Sequence, residues 1–141
     1  METGKITVKA DTDYLDEVLE FIETAAADMP MKMQNQLALA IEEIFVNIAH
    51  YAYKSYDGGG EAVITASSDG EKLIVTFEDM GVPYNPLKKD DPDIEASADE
   101  RQIGGLGIFM AKKLTDGMEY THADGKNILT IYKNLPVSET A

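Results

Sequence analysis

The chain has no cysteine, so neither a disulfide framework nor a zinc–thiolate site is open to it. It has few cations: 12 Lys and Arg stand against 26 Asp and Glu, a formal charge of −14. That balance argues against unaided binding to a nucleic-acid backbone or an anionic membrane. It favours a basic partner, a metal-chelated anion, or simply a well-solvated surface. There is no apolar run of membrane-spanning length, and Met1-Glu2-Thr3-Gly4-Lys5 has no signal-like apolar segment, so the expected compartment is the cytoplasm. Internal repeats and linker-like stretches are also lacking. With 141 residues, 44% of them hydrophobic, the chain reads as one domain, 1–141, with a core of its own.

Periodicity supplies the elements. Ile6 and Val8 alternate within a half-buried strand over residues 4–10. Asp11 and Thr12 offer N-caps, and Leu15, Val18, Leu19 and Ile22 mark an amphipathic helix over about 13–27. Asp28-Met29-Pro30 breaks it, and a longer helix follows over about 31–53 with Leu37, Ile41, Ile44, Phe45 and Ile48 in its apolar stripe. Residues 62–67 and 72–78 predict two strands joined through Ser68-Asp69-Gly70-Glu71. A helix over 105–115 and a last hairpin around Asp124-Gly125 complete the set. The order predicts an α+β two-layer sandwich: a mixed, mostly antiparallel sheet with three helices on one face.

Residues 84–102 have Pro86, Pro92 and no apolar period, which in a compact domain suggests a lid, a binding loop or disorder. The acidic group Asp90, Asp91 and Asp93 lacks the glycine and terminal glutamate of an EF-hand loop. His50 and His122 form no metal-ligand pattern, and Tyr51, Tyr53 and Tyr56 fit the end of a helix and its exit.

Three clusters carry chemistry. Glu43 and Asn47 lie at i and i+4, about 40° apart around a helix and beside its buried stripe. A carboxylate there suits a general base, and an amide oxygen suits Mg²⁺; a plain solvated pair is the alternative. Asp79-Met80-Gly81 closes a strand, where a carboxylate can accept a hydrogen bond from a ligand amino group or merely end the strand. Gly104-Gly105-Leu106-Gly107 opens a helix, where free N–H groups and the helix dipole favour an anion. It is neither a Walker A loop nor a Rossmann fingerprint, and a simple hinge would look the same.

Taken in order, the three clusters resemble the motifs of the GHKL (Bergerat-fold) ATPase and kinase superfamily. Residues 40–47 look like its N box, Phe77 to Pro83 like its G1 box, and Ile103 to Ile108 like its G2 box. The length, the run Asn47 to Tyr53 and the run Leu106 to Lys112 are most similar to bacterial anti-sigma-factor protein serine kinases. The resemblance implies an ATP/Mg²⁺-dependent kinase that phosphorylates a serine of an anti-sigma-factor antagonist and sequesters a sigma factor, acting as a homodimer without direct contact to nucleic acid or membrane. The alternative it leaves is a non-catalytic partner-switching module that only binds ATP. A detached histidine-kinase catalytic domain, acting on a histidine of another chain, is a third.

By the same resemblance, Asn47 coordinates Mg²⁺, Glu43 is the base, and Asp79 binds the adenine amino group, with Gly81 making room for the base. Gly104, Gly105, Leu106 and Gly107 meet the phosphates, and residues 84–103 form the ATP lid. Two positions depart from the pattern. Pro83 replaces the third G1 glycine, which restricts the turn and removes an N–H. Arg101 is the nearest basic residue for the phosphates, with Lys88 and Lys89 as substitutes.

Overall fold

A computed structural model describes residues 3–53, 59–83 and 105–135. Its elements run β1 (Thr3–Lys9), α1 (Leu15–Ala25), α2 (Met31–Tyr51), β2 (Glu61–Ser68), β3 (Lys72–Asp79), α3 (Gly105–Leu114), β4 (Gly117–Ala123) and β5 (Lys126–Asn134). A turn of 3₁₀ helix, Thr12–Tyr14, leads into α1, and Asp11 caps it by accepting the Asp13 N–H at 2.9 Å.

The five strands form one sheet in the order β1-β2-β3-β5-β4. The sequence predicts a mixed, mostly antiparallel sheet; all four ladders are antiparallel. The reason is the place of β5. It returns from the β4 hairpin and inserts between β3 and β4, so these two strands, which run in the same direction, are not neighbours. That hairpin turns on Asp124 and Gly125, both at positive φ (54° and 77°), the primed geometry that matches strand twist. The β2–β3 turn is held by Asp69, whose Oδ1 accepts the N–H groups of Glu71 and Lys72, both at 2.9 Å. Those two bonds hold the Asp69 carboxyl below its ordinary range.

Alternation decides which face is buried. Ile64, Val75, Phe77 and Ile131 point to the helices, as do Leu73 and Leu129. Val18 and Ile22 of α1, and Leu37, Ile41, Ile44 and Phe45 of α2, meet them to make the core. The helical pattern of apolar residues read from the sequence is thus the stripe that packs on the sheet. No helix among the described residues is long and apolar enough to cross a membrane.

A lysine sits inside the fold. Lys133 continues the inward series of β5 and is only 7% exposed. Its Nζ donates to the Leu114 carbonyl at 2.8 Å and to Gln36 Oε1 at 3.0 Å. A cation at the C-terminus of α3 is favoured by the helix dipole and meets one of the carbonyls that a helix end leaves open. The same ammonium ties α3 to α2 and to β5.

Candidate functional site

The end of α2 and the ends of β3 and β5 enclose a small cleft, partly open to solvent. Ile44, Asn47, Ile48 and Ala52 form its helical wall, Phe77, Asp79 and Leu129 its floor, and Tyr120, Asn127 and Val82 its rim. Two of the residue types singled out in the sequence, the amide of Asn47 and the carboxylate of Asp79, therefore face one space from opposite layers.

Asp79 is 6% exposed and belongs to the inward series of β3. Its Oδ1 accepts the Gly81 N–H and the Asn127 Nδ2, both at 2.9 Å. Among the described residues nothing bonds to Oδ2. Burial pushes the Asp79 carboxyl above its ordinary value, against the two hydrogen bonds and the nearby His122, which pull it down. The side chain is thus a buried acceptor with one oxygen fixed by two donors and one without a partner among the described residues.

The turn after Asp79 is bolted from three sides. Tyr53, at the end of α2, donates its hydroxyl to the Glu61 carbonyl at 2.6 Å and accepts the Met80 N–H at 2.7 Å. The Val82 N–H donates to the Ala52 carbonyl at 2.7 Å. Asn127 Nδ2 donates to the Val82 carbonyl at 2.9 Å. Gly81 lies against the Ala52 backbone, and a Cβ there would collide with the Ala52 carbonyl oxygen. Its missing side chain therefore serves the approach of α2 as well as any ligand. Pro83 is exposed, and the bonds that hold the turn come from the N–H groups of residues 80–82. The N–H that proline lacks is not one of them.

Asn47 Oδ1 is buried and has no hydrogen-bond partner among the described residues. An orphaned acceptor of this kind costs about 1–3 kcal/mol, which a bound donor or cation would recover. Among the described residues no three His, Asp or Glu side chains gather into a metal cluster of their own. A lone hard oxygen beside a cleft instead fits Mg²⁺, which takes few protein ligands and keeps its waters and phosphate oxygens. Glu43, one turn before Asn47, packs against α3, where a Cβ on Gly107 would collide with Glu43 Oε2. Gly105 opens α3, and Leu106 lies in its first turn. Gly104, Arg101, Lys88, Lys89 and the lid segment 84–103 lie outside the described residues.

Sequence reasoning missed Asn127, Tyr120 and the role of Tyr53. Asn127 stands directly across the ladder from Asp79, and Tyr120 donates its hydroxyl to Asn127 Oδ1. A signal was present: Asn127, Leu129, Ile131 and Lys133 form one alternating series, so an amide occupies an inward position.

The chain matches the model of the histidine kinase-like ATPase domain over residues 8–133. It is similar to the serine/threonine-protein kinase BtrW of Bordetella bronchiseptica, 26% identical over 101 residues that cover 71% of this chain and 70% of the relative. Its fold is similar to a crystal structure of the RsbU and RsbW domains of Rv1364c from Mycobacterium tuberculosis, with a TM-score of 0.66 and 18% identity over 96% of this chain. The match spans 33% of that longer chain.

Proposed function

Because the chain belongs to the histidine kinase-like ATPase domain family, we propose that it is an ATP- and Mg²⁺-dependent protein serine kinase. Its substrate would be a serine of an anti-sigma-factor antagonist, and its second partner a sigma factor. The observation that carries the reading is the pairing, in one cleft, of the unpartnered Asn47 Oδ1 with the half-committed Asp79 carboxylate. The likeness to BtrW supports the serine/threonine class.

In this reading Asp79 Oδ2 accepts the exocyclic amino group of adenine, and Ile48, Val82 and Leu129 supply apolar wall. Asn47 Oδ1 is the residue that would hold magnesium. The N–H groups opening α3 at Gly105, Leu106 and Gly107 would meet phosphate oxygens. Glu43 takes the proton of the serine hydroxyl as its oxygen attacks the terminal phosphorus, and the bond to the bridging oxygen breaks to release ADP. Magnesium, when bound, neutralises charge on the transferring phosphates; positioning and charge neutralisation account for most of such a reaction.

The test is transfer of labelled terminal phosphate to a small antagonist domain bearing a serine. The expected result is an acid-stable phosphoserine with wild type and a loss of about a hundredfold or more with Glu43→Gln. Tight Mg²⁺-dependent ATP binding with no transfer would leave the partner-binding switch instead. An acid-labile product would move the acceptor to histidine.

A further inference from the structure

Resting on the reading of the cleft as a purine-nucleotide site, we propose that Asn127 and Tyr120 set which purine it accepts, by pinning the Asp79 carboxylate so that Oδ2 alone meets the base. Neither residue belongs to the three sequence clusters; both reach the site only through the order of the sheet.

The geometry is as follows. Asn127 lies opposite Asp79 in the β3–β5 ladder and is 6% exposed. Its Nδ2 has two protons. One goes to Asp79 Oδ1 at 2.9 Å and the other to the Val82 carbonyl at 2.9 Å, with the Gly81 carbonyl further off at 3.5 Å. Its Oδ1 accepts from the Tyr120 hydroxyl. The amide can face only this way. Turned over, its oxygen would meet the Asp79 carboxylate and the Val82 carbonyl, acceptor against acceptor, and its NH₂ would meet a hydroxyl that could still adapt. Tyr120 thus holds Asn127, and Asn127 holds Asp79.

The consequence falls on Oδ2, the carboxylate oxygen that no donor among the described residues holds. With Oδ1 held by two N–H donors, the plane of the carboxylate is fixed and its other oxygen is an acceptor in one defined place. A purine with a 6-amino group offers it a proton. A 6-oxo purine offers a second lone pair, and a site built around a hydrogen bond rejects an analogue that cannot make it far more strongly than an apolar pocket rejects a size change. Freed from Asn127, whose hydrogen bond favours the charged form, the carboxyl could take a proton and donate it to the oxo group. Asn127 and Tyr120 are therefore positioning residues, acting through Asp79 rather than touching the base edge themselves.

The experiment compares Mg²⁺-ATP and Mg²⁺-GTP dissociation constants for the wild-type chain, Asn127→Leu and Tyr120→Phe, with thermal melts to establish that each is folded. The expected wild type prefers ATP by about a hundredfold, and Asn127→Leu narrows that ratio by about tenfold or more, GTP losing less than ATP. Tyr120→Phe, which keeps the ring and removes only the hydroxyl, narrows it by a smaller factor of about three. A purely structural role would weaken both nucleotides alike. If the ratio is unchanged in folded Tyr120→Phe and Asn127→Leu, the proposal is wrong while the ATP reading stands. If wild type binds neither nucleotide, the reading of the cleft fails and the proposal falls with it.

Discussion

Gly107 on α3 faces Glu43 on α2 so closely that no side chain at 107 could coexist with the present position of Glu43 Oε2. A residue assigned by resemblance to phosphate contact is thereby also the seat of the carboxylate assigned as base. The two roles separate experimentally. Gly107→Ala keeps the N–H group and adds only a methyl, which must displace the Glu43 carboxylate. We expect phosphoryl transfer to fall by about 10–100-fold, as a displacement near 1 Å does, with ATP affinity changed by less than about threefold. Single-turnover transfer and an equilibrium titration measure the two; equal losses in both would show that the methyl disturbs binding and not the base.

The orphaned Asn47 Oδ1 predicts a trade between stability and metal use. Asn47→Leu removes a buried acceptor that has no hydrogen-bond partner among the described residues. In nucleotide-free protein the variant should be more stable by about 1 kcal/mol in urea unfolding. Its ATP affinity should no longer respond to Mg²⁺. Retained magnesium dependence would place the metal ligand elsewhere.

Asp79 makes stability depend on pH in a defined direction. Its carboxyl is raised by burial above the ordinary value of 3.8, so the folded chain holds the proton more tightly than the unfolded one. The associated stability is present below the unfolded value and is lost as pH rises through the folded one. Asp79→Asn, which retains an oxygen for the Gly81 and Asn127 donors, should therefore melt higher than wild type at pH 7. The difference should shrink as pH is lowered towards 3.8 and below. The same variant presents an NH₂ where Oδ2 stood and should lose ATP binding. A wild type with a flat pH response in this range would contradict the burial argument.

Gly81 offers a test of packing free of chemistry. Gly81→Ala drives a methyl into the Ala52 carbonyl, which also accepts the Val82 N–H. Backbone meets backbone here, so no rotamer change relieves it. A loss of about 2–3 kcal/mol in urea unfolding is expected, with no nucleotide present. A neutral result would mean that the end of α2 yields readily.

The regular part of the fold was legible in the sequence because it rests on local signals. Leu37, Ile41, Ile44 and Ile48 recur at helical spacing, Leu73, Val75 and Phe77 alternate, and Asp69-Gly70 and Asp124-Gly125 mark the two tight turns; each element starts and ends within a few residues of the expected position. Glu43 and Asn47 were readable for the same reason, one helical turn apart. Asn127 was not, because its meaning lies in a partner 48 positions away, reached only when β5 inserts between β3 and β4. Tyr53 reads as the last aromatic of a helix; its hydroxyl matters because β2 and the Met80 turn converge on it. Lys133 carries no local signal at all; its ammonium fills the joint between two helices only once the sheet and helices are packed.

That joint has a mechanical corollary. Lys133 grips α3 at Leu114, its last residue, while Gly107, in its first turn, faces Glu43. A helix of ten residues is about 15 Å long. Between these two points the buried Ile108 and Ala111 seat the helix on the core, so Lys133, the core and Gly107 fix one rigid element. Lys133, without touching Glu43, thus helps to fix the helix whose Gly107 leaves room for the Glu43 carboxylate.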